Sequence, residues 1–323
     1  MFNKLFSFLY VNVFKIFPVR INLFLSKLFK KFNDMHLKAS YSKDFNASLD
    51  IEGSKFNLIL MKNDNQAQGV YQKLHFNKES YETIMVKTLV ESIDLLKAKS
   101  FLDIGAFMGY YACFVASRFK DKINIHAIES NPKYVEYIEK SIKINNFKKV
   151  NAHNGILSNK EEFLFVKNET VTSKVDEEKN FAKLKSITLD ELCEQQKIVP
   201  EIMKIDVHGA EGKVLFCSNK MLTNFTKIIL LELHTSSYLK KFSDGLSKKE
   251  IILFLINLGF KCYLVSSFRD HDFKKNNENY EYKEINKENF ELIFFDRDKA
   301  DQFIFCIKNN LDIENFKLFN KGF

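Results

Sequence analysis

Two sets of residues in this 323-residue chain have the types and spacing to do chemistry. The first is Asp103-Ile104-Gly105-Ala106-Phe107-Met108-Gly109-Tyr110, which joins the apolar run Ser100 to Ile104 to a run of helical character, Tyr110 to Arg118. Strand, glycine turn and helix in that order form the ligand-binding corner of an open α/β sheet. Twenty residues after Gly109, Glu129 closes the next strand-like run, Ile123 to Ile128, and a carboxylate at that spacing accepts both hydroxyls of a bound ribose. The second set is two pairs at the ends of later apolar runs, Asp206 with His208 and Glu232 with His234. Ligands of such sheets lie outside the carboxyl ends of the strands, so these groups are expected to converge on whatever reacts beside the ribose.

The turn itself narrows the ligand. A dinucleotide turn, G-x-G-x-x-G, needs its second glycine so that backbone can approach a pyrophosphate, and Phe107 occupies that place. No G-K-[ST] follows a glycine loop, so the phosphate cradle of a nucleotide hydrolase is missing as well. A sulfonium attached to adenosine carries no phosphate, and S-adenosylmethionine is therefore the expected cofactor. An NAD-dependent oxidoreductase is the alternative that Phe107 disfavours, and an adenosine-binding scaffold without catalysis is a second.

Methyl transfer from a sulfonium requires the acceptor to be positioned and its proton removed. His208 is the first candidate base and His234 the second, since imidazole titrates near neutrality; Asp206 would orient the acceptor or an imidazole. Glu211 follows His208 by three residues and either joins the site or stabilises a helix N-terminus. Lys204 shares the strand face of Asp206 and reads as its buried ion-pair partner. The same carboxylates and imidazoles suit a divalent cation, but without D-D or H-x-H spacing no metal site is assigned.

Composition excludes other classes. Residues 1–32 hold six of the 49 basic residues and no acids, which leaves 43 basic against 41 acidic in the remainder. The body is nearly neutral, without the basic stripe of a nucleic-acid enzyme, and no [DN]-P-P-[YF] run is present. The five scattered cysteines form no CxxC pair and read as reduced thiols of a cytoplasmic protein. Segment 1–32 also carries eight phenylalanines, and its longest uncharged stretch, Leu5 to Phe14, is about half of the ~20 residues that a membrane span needs. It is expected to form an amphipathic helix, lying peripherally on the inner face of a membrane or packing on its own domain or a sister subunit in a homo-oligomer.

The expected domains are residues 1–32, a small β-containing module at 33–78 with a strand at Ser54 to Leu60, a catalytic domain at 79–310 and a tail at 311–323. Within the catalytic domain, Asn131-Pro132 opens a helix running to about Asn145. Thr188 to Glu191 and Ser247 to Glu250 are capping boxes. Ile202 to Val207, Lys227 to Leu233, Lys261 to Val265 and Gln302 to Ile307 are strands; the charged excursion Glu161 to Asn180, with a short strand at Phe163 to Val166, and the polar stretch Ser266 to Glu291 are lids that vary with substrate. Alternating strands and helices make a doubly wound α/β sheet.

Five segments in order, Asp103 to Tyr111, Glu129 to Pro132, Ser186 to Asp190, Lys204 to Glu211 and Leu230 to His234, resemble the FkbM-type S-adenosylmethionine-dependent methyltransferases. The resemblance implies a class I, Rossmann-like sheet of seven strands with the last antiparallel, and O-methylation of a hydroxyl on a glycan or small metabolite. It implies that Asp103, Gly105, Ala106 and Gly109 line the methionine end of the cofactor, that Glu129 holds the ribose and that Asn154 lies near the adenine. The chain departs from the family at Phe107, usually Asn, at Ser130, usually Pro, and at His208, usually Glu.

Overall fold

The computed structural model describes residues 44–61, 64, 67, 70, 81–159, 163–167, 170–172, 182–266, 280–286, 288–290, 301–311 and 316. The segment 1–32 and most of the tail lie outside them. Contacts divide the chain into two units, 1–45 with 60–69 and 46–59 with 70–323, and nearly every described residue belongs to the second.

A hairpin comes first: β1 (Phe45–Ile51) and β2 (Ser54–Leu60) are joined by Glu52 and Gly53, both with positive φ, as a two-residue hairpin turn requires. Helix α1 (Thr83–Leu96) leads into β3 (Ser100–Ile104), every residue of which is buried. Then follow α2 (Tyr110–Phe119), β4 (Asn124–Glu129), α3 (Pro132–Asn145) and β5 (Val150–Asn154). The start of α3 is as read from sequence: the Asn131 side chain accepts from the Lys133 N–H at 2.9 Å, with Pro132 in the first turn. Ser141 and Asn145 of α3 accept from the backbone N–H groups of Ile59 and Asn57, which fixes the hairpin to this helix.

The excursion after β5 holds the short strand expected at Phe163 to Val166 and further strands beside it. A second sheet of four strands runs β6 (Ile156–Leu157), β9 (Ala182–Ile187), β7 (Phe163–Lys167), β8 (Thr170–Thr172) in spatial order. The Thr188 capping box then opens α4 (Leu189–Gln196). β10 (Ile202–Ile205), α5 (Glu211–Phe216), α6 (Asn219–Asn224) and β11 (Ile228–Leu233) follow, and after them α7 (Ser236–Phe242), α8 (Lys248–Asn257) with its Ser247 capping box, and β12 (Phe260–Val265). Each such cap is worth about 1 kcal/mol.

The main sheet is ordered β13-β12-β14-β11-β10-β3-β4-β5. β14 (Gln302–Lys308) runs antiparallel between β11 and β12, and β3, β4, β5, β10 and β11 are parallel. This is the class I sheet with an antiparallel last strand, plus one strand that the sequence reading assigned to a lid: β13 (Tyr282–Ile285) pairs with β12 at the edge. Its burial pattern, with only Ile285 buried, gives no alternation to read. Chain order reverses between β3 and β10, which places the crevice for ligands at the carboxyl ends of these two strands. Among the described residues, no helix is long and apolar enough to cross a membrane.

Candidate functional site

The glycine corner is built by close backbone approach. Gly105 and Ala106 donate N–H to the Ile128 carbonyl at 3.0 and 3.1 Å, and the Asp206 N–H donates to the Ile104 carbonyl at 3.0 Å. Gly105 has φ 76°, and a Cβ there would stand 1.7 Å from the Asp206 carbonyl oxygen, so only glycine lets the end of β10 pass this close to the end of β3. Gly109, φ 80°, does a different job: its missing Cβ leaves room for Ile138 of α3 at 3.2 Å. Phe107 adopts φ 51°, a left-handed conformation that Asn tolerates better than a bulky side chain. Its ring lies edge-on against Tyr134, 4.7 Å between centroids.

Glu129 turns into this corner. Its Oε2 accepts from the Phe107 N–H at 2.9 Å, and its Oε1 accepts from the Asn131 N–H at 2.8 Å and the Ser130 hydroxyl at 3.2 Å. Burial pushes its carboxyl up to about 7, and these donors pull it back only in part. A carboxylate offers about four acceptor sites, so Oε2 keeps capacity for a ribose hydroxyl. Asn154, at the end of β5, donates its amide to the carbonyls of Glu129 and Ser130 at 2.9 and 3.0 Å, closing the turn beside that carboxylate.

Across the switch point, Lys204 is buried between two carboxylates, 3.8 Å from Asp103 Oδ1 and 3.2 Å from Asp206 Oδ2, with the Tyr111 ring 5.0 Å below its ammonium. Burial alone would lower the lysine pKa, but Asp206, Asp103, Glu82 and Glu232 outweigh it and hold it above the ordinary range. Burial pushes Asp103 up to about 6, against the pull of Lys204. Asp206 is moved the other way: burial would raise it, and Lys204, His208 and His234 together bring it below its usual value. Both Asp103 oxygens and Asp206 Oδ1 are buried without a hydrogen-bond partner. The ion pair expected from the Lys204–Asp206 spacing is present; the contributions of Asp103, Glu82 and Tyr111 were not legible, because they come from other elements. Tyr111 donates its hydroxyl to Glu82 at 2.8 Å, a pairing twenty-nine residues apart that no local pattern marks.

The two histidines end in different surroundings. His234 is buried, its Nδ1 2.8 Å from Glu211 Oε1 and its Nε2 3.9 Å from Asp206 Oδ1. Burial would lower its pKa, but the hydrogen bond and charge of Glu211, with Asp206 and Glu232 behind, carry it up to about 9. That direction favours the protonated imidazole, a charged partner for Glu211 and Asp206, over a free base. His208 is exposed, with φ 50°, and its ring meets His234 edge-on with centroids 5.2 Å apart. Glu211 thus belongs to the site, also accepting from the Gly209 N–H at 2.9 Å. Tyr238 of α7, missed in the sequence, stands 48% exposed with its ring 5.9 Å from that of His234.

The corner fits a donor that carries ribose hydroxyls and positive charge, because it holds one accepting carboxylate at Glu129 and, at Asp103, a buried carboxylate with no hydrogen-bond partner beside its ion pair with Lys204. Comparison with known proteins agrees. Residues 103–262 match the methyltransferase FkbM domain, and residues 29–156 match the protein-L-isoaspartate(D-aspartate) O-methyltransferase model. No curated protein matches in sequence. Among solved structures, the chain is similar to a methyltransferase FkbM from Methylobacillus flagellatus at 12% identity, covering 76% of this chain and 55% of that one, with a TM-score of 0.41. It is also similar to a precorrin-6y C5,15-methyltransferase from Geobacter metallireducens (14% identity, 68% and 87% covered, TM-score 0.35). A third likeness is to fibrillarin from Aeropyrum pernix, solved with natively bound S-adenosyl-L-methionine (11% identity, 65% and 66% covered, TM-score 0.37).

Proposed function

Taking the chain as an FkbM-type, S-adenosylmethionine-dependent methyltransferase, we propose that it methylates a hydroxyl of a glycan or small hydroxylated metabolite. S-adenosylmethionine supplies the electrophilic methyl group when bound; Glu129 would hold its ribose and Asp103 its positively charged end. The observation that carries the acceptor assignment is the cluster of Asp206, His208 and His234 at the ends of β10 and β11, one strand away from Asp103, with Asp206 Oδ1 buried and without a hydrogen-bond partner. Asp206 accepts the hydrogen bond of the incoming hydroxyl and orients its oxygen. His234, fixed by Glu211, holds positive charge beside that oxygen. His208, at the exposed edge, is the residue through which the proton is removed. Tyr238 supports a sugar acceptor, since an exposed aromatic face beside polar groups suits the apolar face of a pyranose. The basic, phenylalanine-rich segment 1–32 supports an acceptor met at a membrane surface.

The test is incubation of the full chain with methyl-labelled S-adenosylmethionine and a panel of glycans and polyols. Transfer into a product stable to mild base is expected, because methyl ethers survive where carboxyl methyl esters hydrolyse. His208→Ala should lower kcat by about 100-fold, the scale of general acid–base contributions, with donor affinity unchanged. Base-labile product would overturn the hydroxyl assignment, and donor binding without transfer to any acceptor would favour the scaffold reading.

A further inference from the structure

We propose that Asp206, His208 and His234 hold a divalent transition-metal ion that takes the acceptor hydroxyl as a further ligand. Each residue brings one ligand atom within 4.8 Å of the others. Asp206 divides its carboxylate: Oδ2 is held by Lys204 at 3.2 Å, while Oδ1, buried and without a hydrogen-bond partner, faces His234 Nε2 at 3.9 Å. His234 is supported as metal-ligating histidines usually are. Its Nδ1 is engaged at 2.8 Å by Glu211 Oε1, which fixes the ring, and a carboxylate behind an imidazole makes it a stronger ligand. The ion would take the place of the Nε2 proton, released to solvent, and supply the positive charge that the imidazolium holds in its absence. Glu211 is fully buried and is itself held by the Gly209 N–H, so the supporting layer is rigid.

His208 completes the set from the exposed side, in a left-handed conformation at φ 50°. Such backbone costs a non-glycine residue about 1 kcal/mol and gathers at functional sites. The ligands come from the ends of two neighbouring strands, which is why no D-D or H-x-H spacing announces them. One carboxylate and two imidazoles favour manganese, cobalt or zinc over magnesium and calcium, which prefer oxygen alone. A hydroxyl bound to such an ion has a lowered pKa; its O–H bond breaks with the proton passing to solvent at the exposed mouth, and the electron pair stays on oxygen as the nucleophile. The inference rests on the acceptor meeting this cluster, and gives His208 its part in proton removal as a ligand.

Chelator-treated full-length protein titrated with Mn²⁺, followed by electron paramagnetic resonance of the free ion, and with Co²⁺, followed by visible absorption, should show one saturable site. His208→Ala, at an exposed position, should weaken binding by at least about 10-fold, and Glu211→Gln by about 10-fold as a supporting group. Asp301→Asn, in the neighbouring group of Glu232, His234 and Asp301, should leave it unchanged. No saturable binding at millimolar Mn²⁺, or equal binding in wild type and His208→Ala, would overturn the site. Ion binding without transfer to any hydroxyl would instead overturn the acceptor reading, and transfer at full rate in chelated protein would remove the ion from the reaction.

Discussion

Glu129 connects cofactor binding to pH in a way that can be worked out before measurement. In the folded protein burial raises its carboxyl from 4.5 to about 7, and the group is only 8% exposed. Between those values the native state holds a proton that the unfolded chain has released, so stability falls as pH rises from about 4.5 to about 7, by about 3 kcal/mol for this group. Donated hydrogen bonds from a ribose favour the ionised form, so donor binding should expel that proton. Affinity should therefore climb with pH, approaching tenfold per unit below 7 and levelling above it, about 10- to 100-fold in all between pH 5 and 7. The donor's own α-amino group titrates near 8, above this window. Calorimetry with S-adenosylmethionine from pH 5 to 6.5, in two buffers of different ionisation enthalpy, reads both affinity and proton release. Glu129→Gln should bind more weakly and lose this group's share of the slope and of the proton release, keeping only what Asp103, raised to about 6, contributes. Its amide can accept through one oxygen only, so either Phe107 or Asn131 is left with an unsatisfied N–H at about 1–3 kcal/mol. An equal pH slope in wild type and Glu129→Gln would refute the argument.

Gly105→Ala should cost about 2–5 kcal/mol in urea unfolding, from the left-handed backbone and the overpacking against the Asp206 carbonyl together; a loss under 1 kcal/mol would mean that β10 yields easily. Lys204→Met should destabilise by about 3–5 kcal/mol, because it strands Asp103 and Asp206 as buried neighbouring carboxylates. The double change Lys204→Met with Asp103→Asn should recover part of that loss, and thermal melts that show simple additivity would count against the pairing.

What the sequence disclosed was whatever depends on neighbours along the chain. The glycine corner, Glu129, the Asn131 cap and both capping boxes are local patterns whose geometry follows from a few consecutive residues, and the structure holds each of them. The edge strand β13 escaped because it alternates weakly and is defined by pairing with β12, whereas in the second sheet the apolar run of β7 was legible and β8 and β9 were not, β8 being three residues long and β9 defined by its pairing with β6 and β7. The state of His234 was hidden for a similar reason. Residue type suggests a base near neutrality; Glu211, brought 2.8 Å away from a different element, with Asp206 and Glu232 behind it, carries the imidazole up to about 9 against its burial.

On the roles proposed above, the β3–β10 register ties the donor and acceptor halves together. Lys204 is the cross-strand partner of Asp103, and Asp206 lies two residues further along on the same face, so a single ammonium serves the carboxylate on each side of the switch point. Slipping β10 by one residue would send Lys204 to the opposite face and leave both acids buried without a cation, a loss of several kcal/mol. Gly105 fixes that register, because any side chain there would collide with the Asp206 carbonyl 1.7 Å away. His208 escapes this constraint: it is exposed and stands beyond the last residue of β10. Change at His208 should therefore leave the glycine corner undisturbed, whereas change at Asp103, Lys204, Asp206 or Gly105 disturbs the ends of both β3 and β10.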